Sequence, residues 1–413
     1  MQSMKIDVQG ATAEGRLRGT LPDTPRPALR FAGWIDAWKH VWAIYLATHL
    51  AFLVLTLIAF LFTTDRFANA HAPLQTLLHF WNRYDTNWFV RIATLGYYTK
   101  DASAFFPLYP TLIHLVTLVV RHPVIAAMLI ANVANLGVLL VLYRLVAEDF
   151  GEELAARSVL YLAIFPTAFF LAAGYSEALF LLFVLAAFYL MRRRRWWLAG
   201  LVMFLATLTR STGVVLVVPF CYEYLRQRDF QWRKIRLNVL SIVSVGLAVF
   251  LYSAYCYYRF HDFLSFSHVE GTNWGRHLTF PGEPLLRSAL VILIKHTSTY
   301  ALVRNLIQLS IVLAILAVLV LSFVGPWKFA RKNWMYSFYG VAVFFMCVSL
   351  PVTAPSDAPL DSIDRYMLAI FPMAIMFAIL GKNRNFHILY QTLGYTLLAV
   401  YTLLFLTHQP FVA

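Results

Sequence analysis

FPLYPTLIHLVTLVV, residues Phe106 to Val120, decides how the chain is threaded. The segment is apolar enough to enter a bilayer, but it falls short of the roughly 20 residues a helix needs to cross the hydrocarbon core. Pro107 and Pro110 stand at its start, where they remove backbone donors. If the segment crosses, the run Arg192–Arg195 lands outside, against the enrichment of Lys and Arg in cytoplasmic loops. If it lies in the interface or re-enters, every later basic loop falls on the cytoplasmic side. We adopt the second reading, which makes residues 63–123 a long first extracytoplasmic loop containing interfacial helices.

Composition sets the class. Of 413 residues, 60% are hydrophobic and 13% charged, and the mean hydropathy is +0.66. A soluble domain of this length cannot hide so many Leu, Phe and Val side chains, so an all-α polytopic membrane protein is expected. Unbroken apolar runs select helices over a closed barrel as the way to satisfy backbone groups in lipid. The formal charge of +14 sits in short clusters between apolar runs, as in loop anchors, so no nucleic-acid partner is expected. Cys221, Cys256 and Cys347 lie within apolar segments, which gives neither a disulfide framework nor zinc-ligand spacing.

Outward from the deciding segment, the layout is a cytoplasmic tail at 1–41, a transmembrane domain at 42–406 and a short tail at 407–413. Eleven spans are expected, with the N-terminus inside and the C-terminus outside. Ala155–Ala173 and Tyr366–Leu380 are among them, and Trp196–Thr209 with Gly213–Leu225 forms a short-armed hairpin. A second long extracytoplasmic loop covers 259–300, where four histidines scatter without ligand spacing. This layout places Asp85, Glu177, Arg210, Asp361, Asp364 and Arg365 at one face of the membrane.

The stretch RYDTNWFVRIATLGYYTKDASAFFPLYP, Arg83 to Pro110, concentrates the unusual chemistry. In a helix beginning at Asp85, that residue shares a face with Trp88, Phe89 and Ile92, which describes an interfacial helix with its aromatic side toward lipid. Its carboxylate can serve as a general base toward a hydroxyl, or it can simply cap the helix. Arg83, Trp88, Arg91 and Tyr109 are the substrate-binding candidates of the same stretch. Glu177 stands at a turn between apolar spans, where a charge is costly enough to suggest a role, although interfacial solvation also accommodates it. Arg210 is a lone outer guanidinium, suited to a phosphate or to snorkelling toward headgroups. In DSIDRY, Arg365 reads as a phosphate clamp or as the ion-pair partner of Asp364. The spacing of Asp361 and Asp364 admits a divalent cation, but a cap plus ion pair accounts for it, and no metal or cofactor is assigned.

Four blocks carry a resemblance: RYDTNWFVRIATLGY with AFFPLYP, IFPTAFFLAAGYSEALFLLF, TRSTGVVL and DRYMLAIFP. Together they make the chain similar to the PIG-V-like (GPI mannosyltransferase II) family, within the lipid-dependent GT-C glycosyltransferase superfamily. Tyr84 departs from the pattern, which usually has Trp before the acid. The resemblance implies a GT-C-like fold and an inverting transfer of a sugar, mannose by default. The donor would be a polyprenyl-phosphate sugar, the acceptor a lipid or glycan, and the site extracytoplasmic in a cell or endoplasmic reticulum membrane. It makes Asp85 the catalytic residue and leaves Arg210 and Arg365 to meet the leaving phosphate. The competing class is a transporter or flippase of a lipid-linked anion, which would use the same arginines and have no need of an indispensable carboxylate in the first outer loop.

Overall fold

The structure, a computed structural model, describes residues 27–62, 73–273, 275–293, 298–351 and 358–409. The expected tail at 1–26, the start of the first loop at 63–72 and the last residues at 410–413 lie outside the described residues. Helix α1 spans Pro27–Phe62. It is followed by α2 (Pro73–Trp81), α3 (Asp85–Leu95), α4 (Leu108–Val120), α5 (Pro123–Phe150) and α6 (Glu152–Ala163). Next come α7 (Glu177–Arg192), α8 (Trp196–Thr209), α9 (Val217–Arg226) and α10 (Val243–Phe260), then α11 (Ser265–Asn273) and α12 (Glu283–Leu293). The chain closes with α13 (Thr299–Leu321), α14 (Trp334–Val348), α15 (Ile363–Met367), α16 (Pro372–Leu380) and α17 (Arg384–Leu406).

Among the described residues, five helical stretches are long and apolar enough to cross a membrane: 33–62, 123–150, 237–260, 299–321 and 384–406. The protein is a multi-pass membrane protein. Leu108–Val120 forms one helix of 13 residues, about 20 Å long, against roughly 30 Å of hydrocarbon.

Two differences from the sequence reading have local causes. Helix α1 starts at Pro27, well before residue 42, because the expected tail carries a helical contact face. Ala37 and Val41, one turn apart, are fully buried, and Trp34 packs edge-on against Tyr189 at 5.7 Å. The expected spans 155–173 and 366–380 are each broken at a proline. α6 stops at Ala163, ahead of Pro166, and α15 stops at Met367, ahead of Pro372. A proline removes a backbone donor and clashes with the preceding turn, so neither helix can run through.

The stretch 164–176, which holds only a short 3-10 helix at Ala168–Leu171, lies deep in the bundle, every residue of it buried. Irregular backbone at such depth is tolerated where protein surrounds it. Phe169, Phe170 and Tyr175 cluster there with Phe405 of α17 at ring separations of 5.2 to 5.9 Å. In lipid the gain from such contacts is dispersion and packing, with little hydrophobic driving force. Small residues serve the same end, since a Cβ on Gly200 of α8 would lie 2.5 Å from the Ser241 carbonyl oxygen leading into α10. Ser244 Oγ closes that contact by donating to the Gly200 carbonyl at 2.7 Å.

Candidate active site

Helix α3 brings Asp85 into the interior. Tyr84, the residue before it, adopts a left-handed φ of +43°, a conformation uncommon for a bulky side chain. Two contacts hold it there. The Tyr84 hydroxyl donates to the Gln409 carbonyl at 2.8 Å, and its ring stacks on His408 at 4.9 Å with planes 5° apart. Asp85 is thus the first helical residue, one position past the cap, and its carboxylate is bonded to Arg365. Its backbone N–H donates to the Tyr175 hydroxyl at 3.3 Å, while Oδ2 accepts from the Arg365 guanidinium. Oδ1 has no hydrogen-bond partner among the described residues and belongs to a side chain 22% exposed, so it is open to the cavity.

The shared face of α3 is confirmed in its membership and corrected in its direction. Phe89 and Ile92 are buried, but against protein: Phe89 meets Tyr109 at 4.8 Å and Phe105 at 5.1 Å, both edge-on. Trp88 stacks on Phe105 at 5.5 Å. The opposite face, with Asn87, Arg91 and Thr94, is the exposed one. The segment 105–109 folds back over α3 and supplies a ready aromatic partner.

A cavity of about 390 Å³ opens over Asp85. Asp85 and Trp88 come to it from α3, Arg210 from the end of α8, Glu270 and Arg276 from the second loop, and Arg365 from α15. Glu177 stands directly behind, where its Oε1 accepts from both Arg365 Nε and Arg210 Nη1, the latter at 2.8 Å. Arg210 also donates to Ser176 Oγ at 3.1 Å. Glu177 Oε2 is buried and makes no hydrogen bond. Arg365, only 4% exposed, therefore bridges two carboxylates, and the faces of Tyr175 (4.6 Å) and Phe170 (5.1 Å) flank its charge.

Tyr366 is the hub on the other side. Arg276 lies 4.8 Å from its ring centre, and Arg210 and Arg365 lie 5.5 Å away. Arg276 pairs loosely with Glu270, Nε to Oε2 at 3.5 Å, and Arg304 pairs with Asp361. Four guanidiniums (Arg210, Arg276, Arg304, Arg365) thus balance four carboxylates (Asp85, Glu177, Glu270, Asp361). Burial pushes the Glu270 carboxyl above the usual range, with the Asp85 charge adding to it and Arg276 opposing it. A proton on Glu270 would tip the cavity toward net positive charge, which suits an anion.

The other candidates fall outside the cavity lining. The Arg83 charge is felt by His79 and His408, which lie outside that lining. Arg91 lies over Tyr98 at 4.5 Å on the exposed side. Tyr109 is fully buried and donates to the Ala127 carbonyl at 2.9 Å, which makes it a packing residue. Asp364 does not pair with the Arg365 side chain; it accepts from the Arg365 backbone N–H at 3.0 Å. Burial raises its carboxyl to about 6. Glu270, Arg276 and Arg304 escaped the sequence reading. Their only advance signal was charge inside otherwise bland segments. Among the described residues no group of three or more His, Cys, Asp or Glu side chains is placed to hold a metal ion.

The profile of the mannosyltransferase (PIG-V) family matches residues 44–279. Mouse GPI alpha-1,6-mannosyltransferase 2 is 31% identical over 240 residues, 49% of this chain and 48% of the mouse protein. Its human counterpart is 30% identical over 209 residues, 45% of this chain and 42% of the human one. The chain thus spans about half the length, or less, of the curated relatives it matches. Among solved structures, ArnT from Cupriavidus metallidurans bound to undecaprenyl phosphate superposes with a TM-score of 0.47 at 15% identity, covering 72% of this chain and 54% of that one.

Proposed function

The chain belongs to the mannosyltransferase (PIG-V) family, and on that premise we propose that it transfers mannose from a polyprenyl-phosphate donor to a membrane-anchored glycolipid. The acceptor we favour is of the glycosylphosphatidylinositol class named in its relatives. The observation that carries this reading is the constellation over Asp85: a carboxylate with one oxygen held by Arg365 and the other facing a 390 Å³ cavity ringed by guanidiniums.

In the proposed reaction the acceptor hydroxyl oxygen attacks the anomeric carbon on the face opposite the phosphate, inverting it. As the new C–O bond forms, the hydroxyl proton passes to Asp85 Oδ1 and the bond from the anomeric carbon to the phosphate oxygen breaks. The products are the mannosylated acceptor and the polyprenyl phosphate. Arg365 serves as a positioning residue, because both of its carboxylate partners already hold it. Arg210 and Arg276 are freer to meet the phosphate, Arg276 having only a loose 3.5 Å partner. Trp88, half-buried in the cavity wall, supplies an aromatic contact for the sugar. An apolar groove of about 540 Å³ between α3, α4, α8 and α10, lined by Pro107 next in sequence to Phe106 of the cavity wall, suits the isoprenoid tail.

Arg276→Gln should lower turnover about tenfold to a hundredfold, the scale of losing one charge-assisted bond to a developing anion. Radiolabelled mannose transfer from polyprenyl-phosphate mannose to a membrane glycolipid extract measures it. Wild-type turnover would remove Arg276 from the site, and failure of the wild-type protein to use that donor would overturn the reaction itself.

For the membrane arrangement we propose eleven crossings, formed by α1, α5 to α10, α13, α14, α16 and α17, with a GT-C-like fold and the Asp85 cavity extracytoplasmic. Helices α2 to α4 then lie in the first outer loop. In a Cys221→Ser background, Thr99→Cys should react with an impermeant thiol reagent applied to intact cells, while Ala330→Cys should react only after permeabilisation. Both positions are exposed. The reverse labelling pattern would invert the layout.

A further inference from the structure

Helix α8 has one end in the Asp85 cavity, through Thr209, and the other in a second cavity, through Trp196. Its 14 residues separate the two by about 20 Å, so a ligand in one cannot touch the reacting atoms in the other. We propose that this second cavity is a binding site for the phosphate headgroup of an anionic membrane phospholipid.

The cavity, about 530 Å³, is lined by Arg194, Arg228, Arg233, Lys234 and Arg236, and no carboxylate lines it. The basic side chains differ in their commitments. Lys234 pairs with Asp229 at 2.9 Å. Arg228 is oriented by donating to the Tyr224 carbonyl at 3.0 Å and the Lys234 carbonyl at 3.1 Å, and it stacks on Tyr224 at 3.5 Å. Arg194, Arg233 and Arg236 have no ion-pair partner among the described residues, so three guanidiniums face one hollow uncompensated. Ordinary loop anchoring needs positive charge but no concave arrangement of it.

What adjoins the hollow identifies its occupant. Ile235, Arg236 and Asn238 also line a shallow apolar shelf of about 710 Å³ that continues over Leu237, Val239 and Leu240. Leu237 is 80% exposed and Leu240 53% exposed. The shelf is the start of the apolar stretch 237–260, which meets lipid, so a phosphate seated on the arginines with its acyl chains along the shelf satisfies both surfaces in one molecule. Basic pockets beside membrane helices recognise anionic headgroups through this combination.

The test is native mass spectrometry of the delipidated full chain titrated with phosphatidylglycerol, phosphatidylcholine or inorganic phosphate. Phosphatidylglycerol should bind at least about tenfold more tightly than phosphatidylcholine, in keeping with several cations acting on one headgroup. The Arg194→Gln/Arg233→Gln/Arg236→Gln variant should lose that preference while its phosphatidylcholine binding stays unchanged. Arg233→Gln alone, at an exposed position, should lose part of it and guards against a misfolded triple variant. Equal binding of the two lipids, an unaltered preference in both variants, or displacement of phosphatidylglycerol by millimolar inorganic phosphate would each overturn the proposal.

Discussion

Asp85→Asn should leave the fold and donor binding nearly intact and lower mannose transfer by at least about a hundredfold, the usual scale for losing a general base. A sugar hydroxyl is a poor nucleophile near neutral pH, so its proton must leave as the bond forms. Asn keeps the shape of Asp, and its carbonyl oxygen can still accept from Arg365, so the bridge loses charge but not geometry. The amide cannot take a proton at the position of Oδ1. Capping predicts a modest stability loss with turnover retained, but Tyr84 stands at the cap position and the Asp85 carboxylate is bonded to Arg365. A protein that only moved a lipid-linked anion would show no transfer even before the substitution. The measurement is single-turnover transfer by purified protein, with thermal unfolding in detergent as the control for folding. Transfer above about a tenth of the wild-type rate would reduce Asp85 to an ion-pair partner of Arg365.

The second large effect is expected in stability. Arg365→Met should cost about 3–5 kcal/mol, the range found when one partner of a buried ion pair is removed. Arg365 is 5% exposed at its side chain and Glu177 is 9% exposed, so neither charge can turn to bulk water. With the guanidinium gone, Glu177 keeps Arg210 but has one buried oxygen already unpartnered. Asp85, at 22% exposure, can relax into the cavity. Adding Glu177→Gln to Arg365→Met should therefore recover a substantial share of the loss. A double-mutant cycle from denaturant unfolding reads the coupling directly. Strictly additive losses would show that the two side chains are packed side by side without being energetically joined.

Much of the architecture could be read in the chain because hydrophobic periodicity and loop charge are local signals. Helices over 42–62, 124–144, 237–258, 301–323 and 386–406 follow from apolar length alone, and all five are present within longer or similar bounds. Prolines 166 and 372 mark where two expected spans are broken; the residues on both sides are apolar, so length and hydropathy alone count each as one span. The site was legible in part. Asp85, Trp88, Arg210 and Arg365 do line one cavity, with Glu177 behind it. Their mutual roles could not be read, because the Arg365–Asp85 contact joins positions 280 residues apart and the Arg365–Glu177 contact joins positions 188 apart. Glu270 and Arg276 are invisible for the same reason. Each looks like loop charge until the fold turns it over Tyr366 and Asp85. Arg83 and Arg91 show the converse error, since being near Asp85 in sequence did not turn them to its side of the helix.

The hydrogen bond from Tyr84 to the Gln409 carbonyl spans 325 residues of chain. Ribosomes add roughly 5–20 residues per second, so the loop bearing the acid is made roughly a quarter of a minute to a minute before its latch exists. Throughout that interval α17 has not been inserted, and nothing yet holds Tyr84 in its left-handed turn. A nascent chain at that stage carries the carboxylate without the posture that aims it. The aim of the Asp85 carboxylate thus waits on α17, because the Tyr84 latch forms only once that helix is in place.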